Sequence, residues 1–490
     1  MDIEKLKESI SNQYETIIEN LKQILKYKCE SPKYNPDWKE TGELFKCLND
    51  ISNIIQNYDI KGLNNLQVID EKDKTPALIF TVDPTDESET YTILFYGHID
   101  KIPFGNIKDW KYDPNEPQVV ENKLYGRGAS NGPYSIFVLL MCLKAIQEQI
   151  NKKLNDDIKL PKIFCLLDSS KESGSLHLNY YIEKYVKNYI KKEGPDVIFS
   201  LESSCPTEEY FHFITSMKGH LDFDLKVQTL TRSIHSGNFG GLVPDPLMIY
   251  RNLMGKIESY KDGKIIYPDW LNANIEEDEH KKAENLVNIL GNFYESIPIY
   301  EGLSLLGAST LENYLNNIFN PSINIVFQDG LNSMANASGV ISFYNDFRLS
   351  IKIPPTLDVG TVYDNINNLF LIDPPFNASI KIENIDSIQG MNMKLDEKII
   401  NSLNKSSNAI IEKDIILNGL SDGIPFINIF TQNYPNSHFI CSGCSDTFKS
   451  NNYSVDENLN IDLFKNLTME MALFFTDFTS YKIKSKYKKI

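Results

Sequence analysis

Three short apolar runs, each ending in polar or charged residues, constrain the fold of this chain more than any other feature. They read TILFYGHID (92–100), KIFCLLDSS (162–170) and DVIFSLESS (196–204), and helical periodicity lies between them, for example at 136–149. Strands that alternate with helices predict a mostly parallel α/β sheet. Ligands bind such sheets at the carboxyl ends of the strands, so the polar ends of these runs predict a site.

A second pattern interrupts the first from about residue 215. The sequence there predicts strand, helix, strand, helix and strand at 220–230, 246–259, 339–354, 359–371 and 378–385. This order is typical of a small α+β sandwich inserted into a larger domain. An acidic, helical stretch at about 262–320 is predicted to be a further insertion. The predicted boundaries are 1–212 and 389–490 for the larger domain and 213–388 for the inserted one.

Charge and composition exclude several classes of protein. Lys plus Arg number 49 and Asp plus Glu 66, and the net charge of −17 disfavours binding to nucleic acid or anionic membranes. No window approaches about 18 continuous apolar residues, so no transmembrane segment is expected. No signal-peptide pattern is present, which predicts a soluble cytoplasmic protein and leaves an organelle such as the mitochondrion open. The seven cysteines, an odd and sparse set, predict free thiols.

Five segments, taken in order, resemble one family of enzymes. They are YGHID (96–100), NKLYGRGASNGP (122–133), DSSKESGS (168–175), SIHSGNFGGLVPDP (233–246) and YSVDENLNIDLF (453–464). Together they resemble the di-zinc metallopeptidases that include carnosine dipeptidases, cytosolic non-specific dipeptidase, aminoacylases and glutamate carboxypeptidases. The resemblance implies an α/β fold with a mixed sheet flanked by helices, interrupted by a ferredoxin-like α+β lid or dimerisation domain. It also implies homodimerisation through that lid, and we expect either a homodimer or a hetero-assembly there.

The resemblance assigns metal-site roles to residues at the strand ends. His98 matches the first metal-ligand histidine, and Asp100 matches the aspartate that orients it. Glu202 matches an acidic ligand of the first zinc ion, and Glu172 matches a ligand of the second.

Two further roles fall in the inserted domain. His235, in the HSG turn, matches a catalytic histidine that stabilises the oxyanion. Arg348 matches an arginine that binds the substrate carboxylate.

Three positions depart from the family pattern together. Asn131 stands at the aspartate that bridges the two zinc ions, Lys171 at the general-base glutamate and Tyr453 at the last ligand histidine. A neutral amide replaces a bridging anion poorly, and a protonated lysine neither accepts a proton nor tolerates dications beside it. We therefore interpret the metal site as vestigial, with zinc at low occupancy or absent.

Two roles remain open for Lys171. Its ammonium could neutralise a pocket that holds Asp100, Glu172 and Glu202 without metal, since a cluster of like charges is costly. Alternatively, its side chain points to solvent.

The three altered positions are compatible with two different functions. The first is a catalytically impaired homologue of a zinc dipeptidase, a pseudoenzyme retained as a structural or interaction subunit of a larger assembly. The alternative is an active metallohydrolase, a dipeptidase or N-acyl amino acid amidohydrolase, whose remodelled one-metal site uses His98, Glu202 and His235.

Overall fold

Two units make up the chain in a computed structural model, which describes residues 1–86, 91–151, 158–265 and 269–478. The first unit contains Met1–Ile214, Leu395–Leu417 and the described residues from Pro425 onward. The second contains Thr215–Lys394 and Asn418–Ile424.

The elements are numbered here in chain order. The helices are α1 (Ile3–Leu25), α2 (Trp38–Thr41), α3 (Glu43–Asn57), α4 (Tyr134–Asn151), α5 (Leu178–Tyr181), α6 (Lys187–Tyr189), α7 (Ser236–Phe239), α8 (Pro246–Met254), α9 (Glu277–Leu290), α10 (Thr310–Ile318), α11 (Val359–Leu371), α12 (Glu397–Ile411), α13 (Pro425–Asn433) and α14 (Ile461–Phe478). The strands are β1 (Leu63–Ile69), β2 (Ala77–Val82), β3 (Thr92–His98), β4 (Gln118–Val120), β5 (Lys123–Tyr125), β6 (Lys162–Asp168), β7 (Val197–Ser200), β8 (Ser204–Cys205), β9 (His212–Met217), β10 (Gly219–Gln228), β11 (Ile234–His235), β12 (Ser322–Asp329), β13 (Val340–Ile341), β14 (Tyr344–Ile353), β15 (Ser379–Ile388), β16 (Met391–Asn392), β17 (Ile416–Leu420), β18 (His438–Cys441), β19 (Ser445–Asp446) and β20 (Asn458–Asn460).

A six-stranded sheet forms the centre of the first unit, in the order β1-β2-β6-β3-β7-β18. Strand β3 pairs in parallel with β6 and β7, and β7 pairs in parallel with β18, whereas β2 is antiparallel to both of its neighbours. The sheet is therefore mixed, with a parallel centre. Every residue of β2, β3 and β7 is buried, which explains why these strands are continuous apolar runs and do not alternate.

Helices α1, α4, α12 and α14 share one apolar core with this sheet. Helix α1 contributes a stripe that includes Leu6, Ile10 and Ile17, and the Asp2 carboxylate caps its first turn. Helix α4 is buried along nearly its whole length and begins at Tyr134, directly after the loop at 131–133. The core therefore fixes the chain on both sides of that loop.

The second unit contains an antiparallel sheet in the order β12-β14-β10-β15. Alternate side chains of β10 and β14 are buried against α8 and α11, which makes a separate apolar core. The order of strands and helices in this unit is ferredoxin-like, as predicted, but it includes β12, a strand that the predicted order did not contain. Helix α8 ends at Met254, earlier than predicted, because Gly255 follows and glycine is a poor helix former.

None of the helices in the described ranges combines the length and the apolar character needed to cross a bilayer.

Candidate active site

The carboxyl ends of three strands meet at one edge of the first unit's sheet. Strand β3 ends at His98, β6 ends at Asp168, and Glu202 follows β7 closely in the chain. Since β3 lies between β6 and β7 and all three run parallel, these side chains come from the same edge. His98 is completely buried and Glu202 is 6% exposed.

Asp100 positions both His98 and the loop after β6. Its Oδ1 atom lies 3.2 Å from His98 Nδ1 and accepts the Lys171 amide at 3.0 Å. Its Oδ2 atom accepts the Glu172 amide at 2.9 Å. Burial would raise the pKa of Asp100, but the hydrogen bond and charge of His98 outweigh this and hold the pKa below its ordinary value. Because the ionised Asp100 carboxylate binds Nδ1 of His98, Nε2 is the nitrogen that faces the other residues of the site.

The Lys171 ammonium lies among the residues expected to ligate the second zinc ion or to bridge the pair. Its Nζ atom is 2.9 Å from Glu172 Oε1, 3.2 Å from the Tyr453 hydroxyl and 3.4 Å from Asn131 Oδ1. Only 9% of the Lys171 side chain is exposed, so the alternative in which it points to solvent is wrong. Burial lowers its pKa, but the negative charge of Glu172 reverses this and the pKa lies well above its ordinary value. The lysine is therefore a cation at neutral pH.

Glu172 is compensated by three donors that converge on one oxygen. Besides Lys171, Asn131 Nδ2 and the Tyr453 hydroxyl each donate to Glu172 Oε1 at 3.0 Å. Tyr453 adopts φ +62°, a left-handed conformation that costs energy for a bulky residue. The cluster is thus a closed hydrogen-bonded set around a lysine–glutamate ion pair.

His98 and Glu202, the residues predicted to hold the first zinc ion, are in contact. His98 Nε2 lies 2.9 Å from Glu202 Oε2 and 3.4 Å from Asn131 Oδ1. Burial would lower the pKa of His98, but the Glu202 charge raises it well above its ordinary value. The contact is an ion pair between the His98 imidazolium and the Glu202 carboxylate, and no other side chain of the described residues donates a hydrogen bond to either Glu202 oxygen.

The donor set does not fit the two zinc ions that the resemblance implies. Zinc takes about four ligands, drawn from His, Cys and carboxylates and, in catalytic sites, completed by water. Within the described residues no three such side chains come together in a way that could hold a metal ion. Among the residues predicted to surround a second zinc ion, Lys171 is a cation and burial raises the pKa of Tyr453 to about 12, so Glu172 is the one anion of that described group. Only two ligands, His98 and Glu202, are present among the described residues predicted for the first zinc ion.

A buried ion pair holds the loop that precedes α4. Arg127 Nη1 lies 2.8 Å from Glu457 Oε2, and the Ser130 amide donates to Glu457 Oε1 at 3.3 Å. In the same loop Gly132 has φ +108°, and a Cβ atom there would lie 3.0 Å from His98 Cε1. Glu457, in the motif at 453–464, thus positions the loop that lies against His98.

The two residues predicted in the inserted domain lie in the second unit. His235 ends the short strand β11 and is exposed. Arg348 lies in β14, where its guanidinium donates to Asp224 Oδ1 at 2.9 Å and to the Asn384 carbonyl at 3.4 Å. A substrate carboxylate would compete with Asp224 for this arginine, and both substrate roles stay predictions.

Asp168 is a site residue that the sequence reasoning did not single out. It is 1% exposed, and its carboxylate accepts the Tyr96 hydroxyl at 3.2 Å and the Ser170 amide at 2.9 Å. Burial and the neighbouring charge of Asp100 raise the pKa of Asp168 to about 6. Its place at the end of an apolar run is the signal that could have identified it.

These features define the class of metallopeptidase-type folds with an inserted domain. They are the mixed sheet, the histidine and acidic residues at the ends of its strands, and the inserted ferredoxin-like sheet. A family model described as "Peptidase family M20/M25/M40" matches residues 94–476, and the chain belongs to this family. The family predicted from the motifs is thereby confirmed.

Individual relatives support the same assignment. The chain is 23% identical to a Beta-Ala-His dipeptidase of Rattus norvegicus over 367 residues, which is 74% of this chain and 72% of that protein. It is 20% identical to a Cysteinylglycine-S-conjugate dipeptidase of Corynebacterium striatum over 409 residues, covering 82% of this chain and 84% of that protein. The crystal structure of human carnosine dipeptidase 1 superposes with a TM-score of 0.76 at 18% identity, covering 98% of this chain and 99% of that one. At this identity the structural likeness shows the fold.

Proposed function

We propose that this chain is a catalytically impaired member of the peptidase family, in which the Lys171 ammonium takes the place of the second zinc ion. The observation that carries the proposal is the contact of Lys171 Nζ with Glu172, Tyr453 and Asn131, at 2.9, 3.2 and 3.4 Å. One positive charge there balances the Glu172 carboxylate, so the site needs no dication to be compensated.

The chemistry of the same residues supports the loss of two-zinc hydrolysis. Peptide hydrolysis in this family needs a general base beside the metal-bound water. At the base position Lys171 is protonated and has no lone pair to accept a proton. At the bridging position Asn131 is neutral, so it cannot hold two dications together.

A dipeptidase assay on the purified full chain tests the proposal. We expect no turnover of β-alanyl-histidine or cysteinyl-glycine with added Zn²⁺, Co²⁺ or Mn²⁺. Turnover that is lost in His98→Ala would overturn the proposal.

The alternative is an active metallohydrolase with a remodelled one-metal site, and two observations favour it. Apart from His98 Nε2, no donor of the described residues lies near the two buried oxygens of Glu202, so a single cation that displaces the Nε2 proton could be held between Glu202 and His98. The named relatives are dipeptidases, and the comparisons therefore favour the alternative, while the Lys171 contacts favour impairment. One bound metal per chain together with turnover, both lost in His98→Ala, would establish the alternative.

An interaction role is supported by the edge of the second unit's sheet. Strand β12 is an edge strand, and its Ile325, Val326 and Phe327 are 49%, 58% and 60% exposed. An exposed apolar edge strand is a template for pairing, and a second copy of the chain could pair with it about a two-fold axis. We expect a dimer in light scattering and a monomer for Phe327→Glu, whereas the control Tyr260→Glu, at a fully exposed aromatic residue, should leave the dimer intact. A monomeric wild-type chain would contradict this role.

A further inference from the structure

A cavity of about 690 Å³ is lined by residues of the second unit. This volume falls in the range of small-molecule binding sites, which run from about 300 to 1,000 Å³. Much of the wall is apolar and includes Tyr294, Leu305, Leu306, Leu315 and Ile323. Leu306 is 74% exposed, so the cavity is open to solvent on that side.

The side chain of Lys218 lies at this wall as a buried amine without a counter-ion. The residue is 1% exposed, and in the described part of the chain no carboxylate oxygen lies within ion-pair distance of its Nζ atom. Its one hydrogen bond among those residues is donated to the Asn316 carbonyl at 2.9 Å. Asn316 also lines the cavity, so this bond places the Lys218 nitrogen at the wall.

Two charged residues of the same lining act on Lys218. Lys352 disfavours a second positive charge beside it, whereas Asp422 favours one. Both oxygens of Asp422 already have partners, since Lys352 Nζ lies at 2.8 Å and His220 Nδ1 at 2.9 Å. Burial and then the charge of Lys352 outweigh Asp422 and lower the pKa of Lys218 to about 7. A large fraction of Lys218 is therefore a neutral amine at neutral pH.

The pKa of Lys218 is not shifted by the other charged groups of the described lining. These groups are Glu258, Asp262, Lys264 and Glu312, and Lys264 Nζ lies 3.4 Å from Glu312 Oε1. Each of the other two lysines of this lining thus lies beside a carboxylate, and Lys218 does not.

A neutral lysine in an apolar pocket, beside a second cation, is the form that reacts with carbonyl compounds. An ordinary lysine, with a pKa of about 10.4, is almost entirely protonated at pH 7 and has no lone pair to offer. The hydrogen bond to Asn316 uses an N–H group of Lys218, so it leaves the lone pair of the neutral amine available.

We propose that Lys218 is a nucleophilic amine on which this cavity captures an aliphatic aldehyde as a Schiff base. The Lys218 nitrogen forms a double bond to the aldehyde carbon, and the aldehyde oxygen leaves as water with the two amine hydrogens. The alkyl chain lies against the apolar wall at Leu315, the residue before Asn316 in α10. The site belongs to the second unit and does not depend on whether the first unit hydrolyses peptides.

Reductive alkylation of the full chain at pH 7 tests the proposal. The chain is treated with limiting propanal and sodium cyanoborohydride, which reduces the imine to a stable propylamine, and each lysine is quantified by peptide mass spectrometry. At a pKa of about 7 the neutral fraction of Lys218 exceeds that of an ordinary lysine about a thousandfold.

The rate advantage is smaller than this ratio, because a nucleophile weakens as its pKa falls, as thiols show. We therefore expect Lys218 to be alkylated at least about tenfold faster than Lys381, an exposed lysine of β15 outside the cavity. Alkylation of Lys218 no faster than that of Lys381 would overturn the proposal.

The pH dependence separates reactivity from access. Ordinary lysines lose their protons between pH 7 and pH 10, whereas Lys218 has already lost much of its own at pH 7. The ratio of Lys218 to Lys381 alkylation should therefore fall at least about tenfold across this range. A ratio that stays constant would show that access alone sets the rates, and the proposal would be wrong.

Two substitutions in the lining test the cause of the reactivity. Lys352→Met removes the neighbouring positive charge, so the pKa of Lys218 rises and its alkylation at pH 7 should slow at least about threefold. The matched control is Lys264→Met, which removes a lysine of the same lining and should leave the rate unchanged. Equal thermal midpoints of the two variants would show that a changed rate reflects the amine and not the fold. Equal rates in the wild type and in Lys352→Met would contradict the proposal.

Discussion

Replacing Lys171 with methionine tests whether its ammonium stabilises the candidate site. Methionine keeps much of the side-chain volume but removes the charge that lies 2.9 Å from Glu172 Oε1. Removing one member of a buried ion pair costs about 3–5 kcal/mol, because the remaining charge is left uncompensated. Glu172 keeps two neutral donors, from Asn131 and Tyr453, each at 3.0 Å. We therefore expect the lower end of that range, about 3 kcal/mol.

Urea unfolding of the full chain, followed by tryptophan fluorescence, measures this change in the free energy of unfolding. The double variant Lys171→Met/Glu172→Gln should be more stable than Lys171→Met, since it no longer contains the uncompensated carboxylate. The matched control is Lys26→Met, which removes an exposed ion pair with Glu116 and should cost less than about 1 kcal/mol. A Lys171→Met variant within about 0.5 kcal/mol of the wild type would refute the reasoning.

Three further predictions concern buried groups of the first unit. Glu470 in α14 is buried, its oxygens have no hydrogen-bond partner among the described residues, and burial raises its pKa well above 4.5. The Glu470 carboxyl ionises at lower pH in the unfolded chain than in the folded one, so it lowers the free energy of unfolding as pH rises above about 4.5. Glu470→Met should therefore stabilise the chain more at pH 7 than at pH 4 in urea titrations. An equal gain at both pH values would contradict this. Arg127→Met should lower the free energy of unfolding by about 3 kcal/mol in the same assay, because it leaves the buried Glu457 carboxylate without its counter-ion. The double variant Arg127→Met/Glu457→Gln should recover part of that stability. No recovery would show that the ion pair is not the cause. Gly132→Ala places a Cβ atom 3.0 Å from His98 Cε1 at φ +108° and should lower stability by about 1–3 kcal/mol, so an unchanged thermal midpoint would argue against a packed loop.

The fold could be predicted from sequence because each pattern reflects burial that repeats along an element. The run at 92–98 is continuous because β3 is covered on both faces, while the alternation at 220–227 reflects a strand buried on one face. The helix boundary at Met254 was missed because apolar periodicity continues past Gly255, and periodicity does not register a single helix-breaking residue.

The sequence predicted most residues of the candidate site, with Asp168 as the exception, but it did not predict the contacts between them. Asp100 accepts the backbone amides of Lys171 and Glu172, which are 71 and 72 positions away, and no local pattern encodes such a pairing. The same applies to Arg127 and Glu457, which are 330 positions apart. These long-range contacts determine whether the Lys171 side chain lies beside carboxylates or is exposed to solvent. The sequence therefore left both alternatives open.

The central claim is that Lys171 occupies the position of a second metal ion, and metal stoichiometry tests it most directly. The full chain is incubated with excess Zn²⁺, separated from free metal by gel filtration and analysed by mass spectrometry for zinc. The matched variant, Asn131→Asp/Lys171→Glu/Tyr453→His, restores the side chains that the family resemblance places at these three positions. We predict at most one zinc ion per wild-type chain and two per variant chain, whereas two tightly bound zinc ions in the wild type would contradict the account.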